Sequence, residues 1–153
     1  MRFTIGFICL FLLVHSTPAP SHNVSAPDAP FDSYRDLCFE EEKARLDNFA
    51  IALQQNPAWI GLVMVYAGRR SCAGEARYRA QRAKKWIMKR GIEPDRIVVK
   101  DAGYEEEVTT TLLMWPKDKP LYPELPGRLA DSEVKIFRHC RNNIFRPRKC
   151  PKQ

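Results

Sequence analysis

Residues 67–104, AGRRSCAGEARYRAQRAKKWIMKRGIEPDRIVVKDAGY, decide the fold. Gly68 to Gly74 reads as a turn, with Ser71 placed to cap the helix that follows. Ala73, Ala76, Ala80, Ala83 and Ile87 recur at three- and four-residue intervals, the apolar stripe of an amphipathic helix running to about Arg90. Because most of these side chains are small, the helix can lie close against a sheet. Gly91 stops it by adopting the left-handed conformation that closes helices. Arg96 to Lys100 (RIVVK) then forms a short strand.

The flanking sequence extends the pattern. Upstream, Glu40 to Gln55 carries Leu46, Phe49, Ala50 and Leu53 on one helical stripe. Glu40, Glu41 and Glu42 occupy its first turn, where the helix dipole favours negative charge, and Asn56-Pro57 ends it. Trp59 to Tyr66 is a nearly continuous apolar run, the signature of a central strand covered on both faces. One more strand lies within 31–39. Downstream, Val108 to Trp115 is rich in β-branched residues and ends at Pro116. The order β-α-β-α-β-β predicts an α/β protein, a two-layer sandwich with a mixed sheet and helices on one face. Its strand–helix–strand units pair in parallel, and the last two strands, joined by Asp101 to Glu107, form an antiparallel hairpin. Pro116, Pro120, Pro123 and Pro126 read as an extended linker, and Glu133 to Phe137 as an added edge strand.

Arg82-Ala83 within the helix, Gly91-Ile92, Arg96-Ile97 and Gly103-Tyr104-Glu105 resemble the second half of an OmpA-like domain, the peptidoglycan-binding module of bacterial envelope proteins. The resemblance reaches from about Phe31 to about Trp115 and implies the same sandwich. It also implies an exported, non-catalytic envelope module. In that family the matching arginine and an aspartate in the preceding loop clamp the diaminopimelate side chain of peptidoglycan, so Arg82 is the first candidate. A guanidinium fork suits a carboxylate, and an opposed carboxylate suits an amine. Here the loop reads Tyr66-Ala67-Gly68-Arg69-Arg70 and holds no acid; Glu75 is the nearest. The candidate ligand-binding set is therefore Arg82, Arg69, Arg70 and Glu75. Arg82 lies off the apolar stripe of its helix and is expected to project from the domain.

Charge is unevenly distributed. The net charge is +7, yet residues 134–153 hold seven Lys or Arg and no acid, while residues 17–133 hold 17 basic and 18 acidic residues. The basic C-terminal tail can attract a polyanion, and presenting it to a polyanion or protein partner is the alternative function. A second basic run, nine Lys or Arg against one acid, spans Arg69 to Arg90. It fits an anionic peptidoglycan or other envelope polymer, and it equally fits a helix face balanced by Asp36, Glu40 to Glu42 and Glu105 to Glu107. Trp86 lies four residues from both Arg82 and Arg90, within reach of cation–π contact.

The N-terminus carries Arg2 and an apolar run from Ile5 to Val14, too short to span a bilayer and proportioned like the core of a signal peptide. The expected organisation is a signal peptide over 1–16, a flexible leader over 17–30 that contains the sequon Asn23-Val24-Ser25, an OmpA-like domain over 31–116 and a linker with a basic tail over 117–153. Cys9 has no small residue beside it, so no lipoprotein cleavage box is expected, and no transmembrane segment is expected in the mature chain. Export agrees with the even set Cys38, Cys72, Cys140 and Cys150, which admits three pairings. Proximity in sequence favours Cys140–Cys150, which leaves Cys38–Cys72, two residues that follow the ends of parallel strands. Cys-x-x-Cys spacing is absent, so neither zinc nor another cofactor is expected. The chain has no Gly-x-Ser-x-Gly, no phosphate loop and no specific nucleic-acid motif. Its three histidines fall at 15, 22 and 139, outside the folded elements, which leaves an enzyme without an evident base.

Overall fold

The computed structural model describes residues 29–120, 128–138, 140 and 149–151. The expected signal peptide, most of the leader and the linker residues Pro123 and Pro126 lie outside the described residues. Among the described residues, six strands and two α-helices follow in the order β1 (Asp32–Arg35), α1 (Phe39–Gln55), β2 (Trp59–Gly68), β3 (Arg70–Cys72), α2 (Glu75–Lys89), β4 (Ile97–Glu105), β5 (Thr109–Pro116) and β6 (Lys135–Phe137). The main sheet has the order β1-β5-β2-β4, with β2–β4 parallel and the other pairs antiparallel. This is a mixed α/β fold with both helices on one face of a mixed sheet.

The apolar run of β2 explains its central place. Val63, Val65 and Ala67 point to the helices and join Leu46, Phe49, Leu53, Ala76, Ala80, Ala83 and Ile87 in one buried cluster. Ile60, Leu62, Met64 and Tyr66 point to the opposite face and pack with Ala102, Leu113 and Trp115. That second cluster is tied at one end by Trp115 Nε1 donating to Pro120 O (3.3 Å) and at the other by the Tyr104–Leu129 bridge. Gly61 interrupts the run for a steric reason: a Cβ there would lie 2.8 Å from Leu53 Cδ1 and 2.9 Å from Phe49 Cε1, so its absence lets α1 settle on the strand.

Five expectations about the elements and their pairing are corrected. The predicted β4–β5 hairpin does not form, because β2 lies between the two strands and pairs with both. β4 runs to Glu105 rather than stopping at Lys100: a register shift accommodates Gly103 (φ 96°), and Tyr104 and Glu105 resume pairing with Ala67 and Gly68. The predicted turn at 68–74 contains a strand, β3, and β6 pairs with it in parallel as a separate ribbon instead of extending the main sheet. Ser71 is not the helix cap. It is buried within β3 and donates to Gly68 O (3.0 Å), while Gly74, at φ 77°, occupies the cap and leaves Ala73 exposed ahead of the helix.

Arg96 explains why an arginine opens the RIVVK segment. Its nearly buried guanidinium donates to Leu53 O (2.8 Å), Asn56 O (3.0 Å) and Trp59 O (2.8 Å), carbonyls that cluster where α1 ends and the chain turns into β2. One side chain therefore closes α1 and fixes the start of β4 to it. Arg96→Met removes these charge-assisted hydrogen bonds and is expected to lower unfolding stability by about 3 kcal/mol, measured by urea denaturation. A loss below about 1 kcal/mol would mean that water replaces the guanidinium without cost.

Candidate functional site

Along α2, Glu75, Arg79, Arg82, Trp86 and Arg90 fall at intervals of three or four residues beside the apolar stripe. Much of that row is turned toward α1, and each of its members is engaged, although Arg90 remains exposed. Glu75 is buried; it accepts the Cys72 backbone N–H (3.2 Å) and Arg79 Nε (3.1 Å), tying β3 to the first turn of α2. Arg79 reaches on to Asp36 (2.7 Å), just before α1. Trp86 Nε1 and Arg90 both donate to Asp47 of α1 at 2.7 Å, and Arg90 stacks over the Trp86 ring.

Arg82 corrects the expectation that it projects from the domain. Its side chain is 15% exposed and pairs at 2.5 Å with Glu42 of α1, itself 5% exposed, while its guanidinium lies over the Phe39 ring. The helical period rightly places Arg82 off the sheet-facing stripe, but the neighbouring flank is covered by α1. Burial pushes the Glu42 carboxyl above the usual carboxylate range, and the charge of Arg82 offsets that only in part. Arg82 Nε and the Tyr34 hydroxyl are buried without a hydrogen-bond partner among the described residues.

The remaining candidates do not join Arg82. Arg69 donates from Nε to Glu106 (2.8 Å) and from Nη1 to Glu133 O (3.2 Å). The hydrogen bond from Arg69 holds the Glu106 carboxyl below its ordinary range. Arg70 is exposed on β3 and lies 5.4 Å from the centre of the Phe137 ring. Arg69, Arg70 and Glu75 thus sit near the end of the sheet where β2 finishes, each with its own partner, and Glu42 takes the position toward Arg82 that Glu75 was expected to fill. Sequence reasoning missed Glu42 and Asp47 as partners because the seam between two helices is a long-range contact. The acids at 40–42, grouped as a possible counterweight to the basic run, were the only available signal.

The disulfides also correct an expectation. Cys38 bonds Cys150 and Cys72 bonds Cys140, not Cys38 to Cys72 and Cys140 to Cys150. Cys38 and Cys72 do follow strands that run in the same direction, but β5 separates β1 from β2. Two strand spacings put those strands about 10 Å apart, beyond the roughly 7 Å Cα separation that a disulfide bridges. The observed pairs instead fasten the C-terminal segment to the starts of both helices. Lys135 N donates to Arg69 O (2.8 Å) and Ala73 N to Phe137 O (3.0 Å), so β6 is held by a ladder as well as by sulfur.

Among the described residues no group of three His, Cys, Asp or Glu converges as metal ligands, and no helix is long and apolar enough to cross a membrane. Comparison of the chain with protein-family models, curated proteins and solved structures finds no match.

The Asp47 contacts give a pH prediction. Hydrogen bonding from Arg90, then from Trp86, holds the Asp47 carboxyl below its ordinary value despite some opposing desolvation. A depressed carboxylate contributes stability that is present above its unfolded pKa and is lost as pH falls through the folded value. Acidification below the usual carboxylate range is expected to shift Trp86 emission as its acceptor protonates. Asp47→Asn should abolish that step, and an unchanged step in this variant would assign it to another acid.

Proposed function

We propose that the chain is an exported, non-catalytic module of the cell envelope, a divergent OmpA-like domain whose C-terminal basic region contacts an anionic envelope polymer while the α/β domain serves as its scaffold. The observation that carries this reading is the contrast between the two basic regions. On the α2 seam, Arg79, Arg82 and Arg90 are neutralised by Asp36, Glu42 and Asp47. In the C-terminal region, Lys135, Arg138 and Lys149 are exposed and have no ion pair among the described residues, and the segment is fastened to the domain by both disulfides. A solvated tail needs no such anchoring. The two disulfides fit an oxidising compartment, and the sandwich fits the architecture that the OmpA-like resemblance implies.

Family-type recognition of peptidoglycan through Arg82 is the second reading, favoured by the spare Nε donor of Arg82. It requires a ligand carboxylate to displace Glu42. Binding to purified peptidoglycan sacculi separates the two. Lys135→Gln/Arg138→Gln/Lys149→Gln is expected to lose binding, whereas Glu42→Leu/Arg82→Met retains it. The opposite pattern would restore Arg82 as the contact, and no binding by the wild type would remove peptidoglycan as the polymer.

A further inference from the structure

We infer that the exposed face of the β3–β6 ribbon, where Arg70 and Lys135 flank Phe137, binds the carboxylate or phosphate groups of an anionic glycan chain. This rests on the polyanion reading above and names the contact.

The geometry follows from parallel pairing. Register partners in a ladder project to the same side, and alternate residues share a face. Arg70 is the partner of Lys135, and Phe137 lies two residues beyond Lys135, so all three stand on one side; Ile136 stands on the other. The Arg70 guanidinium carbon and Lys135 Nζ each lie 5.4 Å from the centre of the Phe137 ring. Two cations are thus held around one half-buried aromatic ring, and neither has a carboxylate partner among the described residues.

That lack of acid is the informative point. Elsewhere the fold supplies acids to several of its arginines: Arg45 has Asp32, Arg79 has Asp36, Arg82 has Glu42, Arg90 has Asp47. Even Arg69, adjacent to Arg70, is taken by Glu106. Arg70 and Lys135 are brought together across 65 residues of sequence and left unneutralised, at a cost in mutual repulsion that an anionic ligand would relieve.

The ribbon is also fixed in place. Lys135 N–Arg69 O, Ala73 N–Phe137 O and the Cys72–Cys140 disulfide surround the patch, so little ordering entropy is spent on binding. Arg70 and Lys135 form a short positive track on this face. Charged groups spaced along an extended chain suit such a track, and the ring offers apolar surface to a sugar. A lipid surface suits it less well, because Ile136, the exposed apolar residue of β6, faces away from the cations.

The test uses the disulfide-intact full mature chain and equilibrium binding to labelled polygalacturonate and to a polyglycerol phosphate, with neutral dextran and duplex DNA as comparators, at about 50 and 200 mM salt. Arg70→Gln/Lys135→Gln is expected to weaken binding to one or both anionic polymers about tenfold, and the polymer affected separates carboxylate from phosphate recognition. Arg77→Gln/Lys85→Gln removes the same charge from exposed positions on α2 and should leave affinity within about twofold of wild type. Equal losses in the two variants would overturn the site in favour of general charge attraction. Wild-type binding with no loss in Arg70→Gln/Lys135→Gln would overturn this site and leave the proposed function standing. Duplex DNA bound more tightly than either polymer would overturn the glycan assignment, and no binding by the wild type would overturn both readings.

Discussion

Arg82→Ala is expected to lower unfolding stability by about 3–5 kcal/mol, the cost of leaving one partner of a buried ion pair uncompensated. Glu42 is 5% exposed and has little water to fall back on. The companion variant Glu42→Leu/Arg82→Met replaces both charges by apolar groups of similar length and is expected to recover most of the loss. Urea denaturation of the two single variants and the double variant forms a cycle whose coupling energy reports the pair directly. A stability of Arg82→Ala within about 0.5 kcal/mol of wild type would mean that Arg82 is a solvated side chain after all. The same cycle decides how binding data are read, since any loss of ligand affinity in Arg82→Ala must first be separated from partial unfolding.

Removing the Cys38–Cys150 disulfide has a comparable expected effect. The bond closes a sequence separation of 112 residues, for which loop-closure entropy gives an upper figure of about 5 kcal/mol, and native disulfides of small exported domains are worth about 2–5 kcal/mol. Cys38→Ser/Cys150→Ser is therefore expected to unfold several kcal/mol more easily than wild type under non-reducing conditions, within that range. Cys38 also stands at the N-cap of α1 without a capping side-chain hydrogen bond, so the serine hydroxyl offsets a fraction of the loss. Peptide mapping without reduction supplies the independent check. Fragments linking 38 to 150 and 72 to 140 are expected, and a fragment linking 140 to 150 would overturn the anchoring on which the scaffold reading depends.

What was legible in the sequence was whatever depends on neighbours along the chain. The stripe of Leu46, Phe49, Ala50 and Leu53 marks α1 because side chains three and four apart share a helix face. Gly91 ends α2 at φ 87° as its position after the stripe requires. The run from Trp59 marks a strand buried on both faces, and β2 is central. The short strand β3 was hidden inside a Gly- and Arg-rich turn, because a three-residue strand carries no period and is stabilised only by β6, more than sixty residues away. The candidate site fared similarly. Arg82, Arg69, Arg70 and Glu75 were visible as residue types, but not the acids opposite Arg82 and Arg69, the arginine that holds Glu75 or the ring beneath Arg70.

By itself the sequence determined the kind and order of the main helices and strands, the α/β class, the division of charge between domain and tail, and an even set of cysteines. Periodicity, glycine geometry and composition act locally, and they survive any rearrangement of the elements in space. Tertiary structure alone decided that β5 inserts between β1 and β2, that the helices meet along a charged seam, and that the basic segment is sewn to the helix starts. Each of these depends on which distant surfaces become neighbours, and a guanidinium is a ligand site or a structural tie according to whether a carboxylate of the same chain reaches it first.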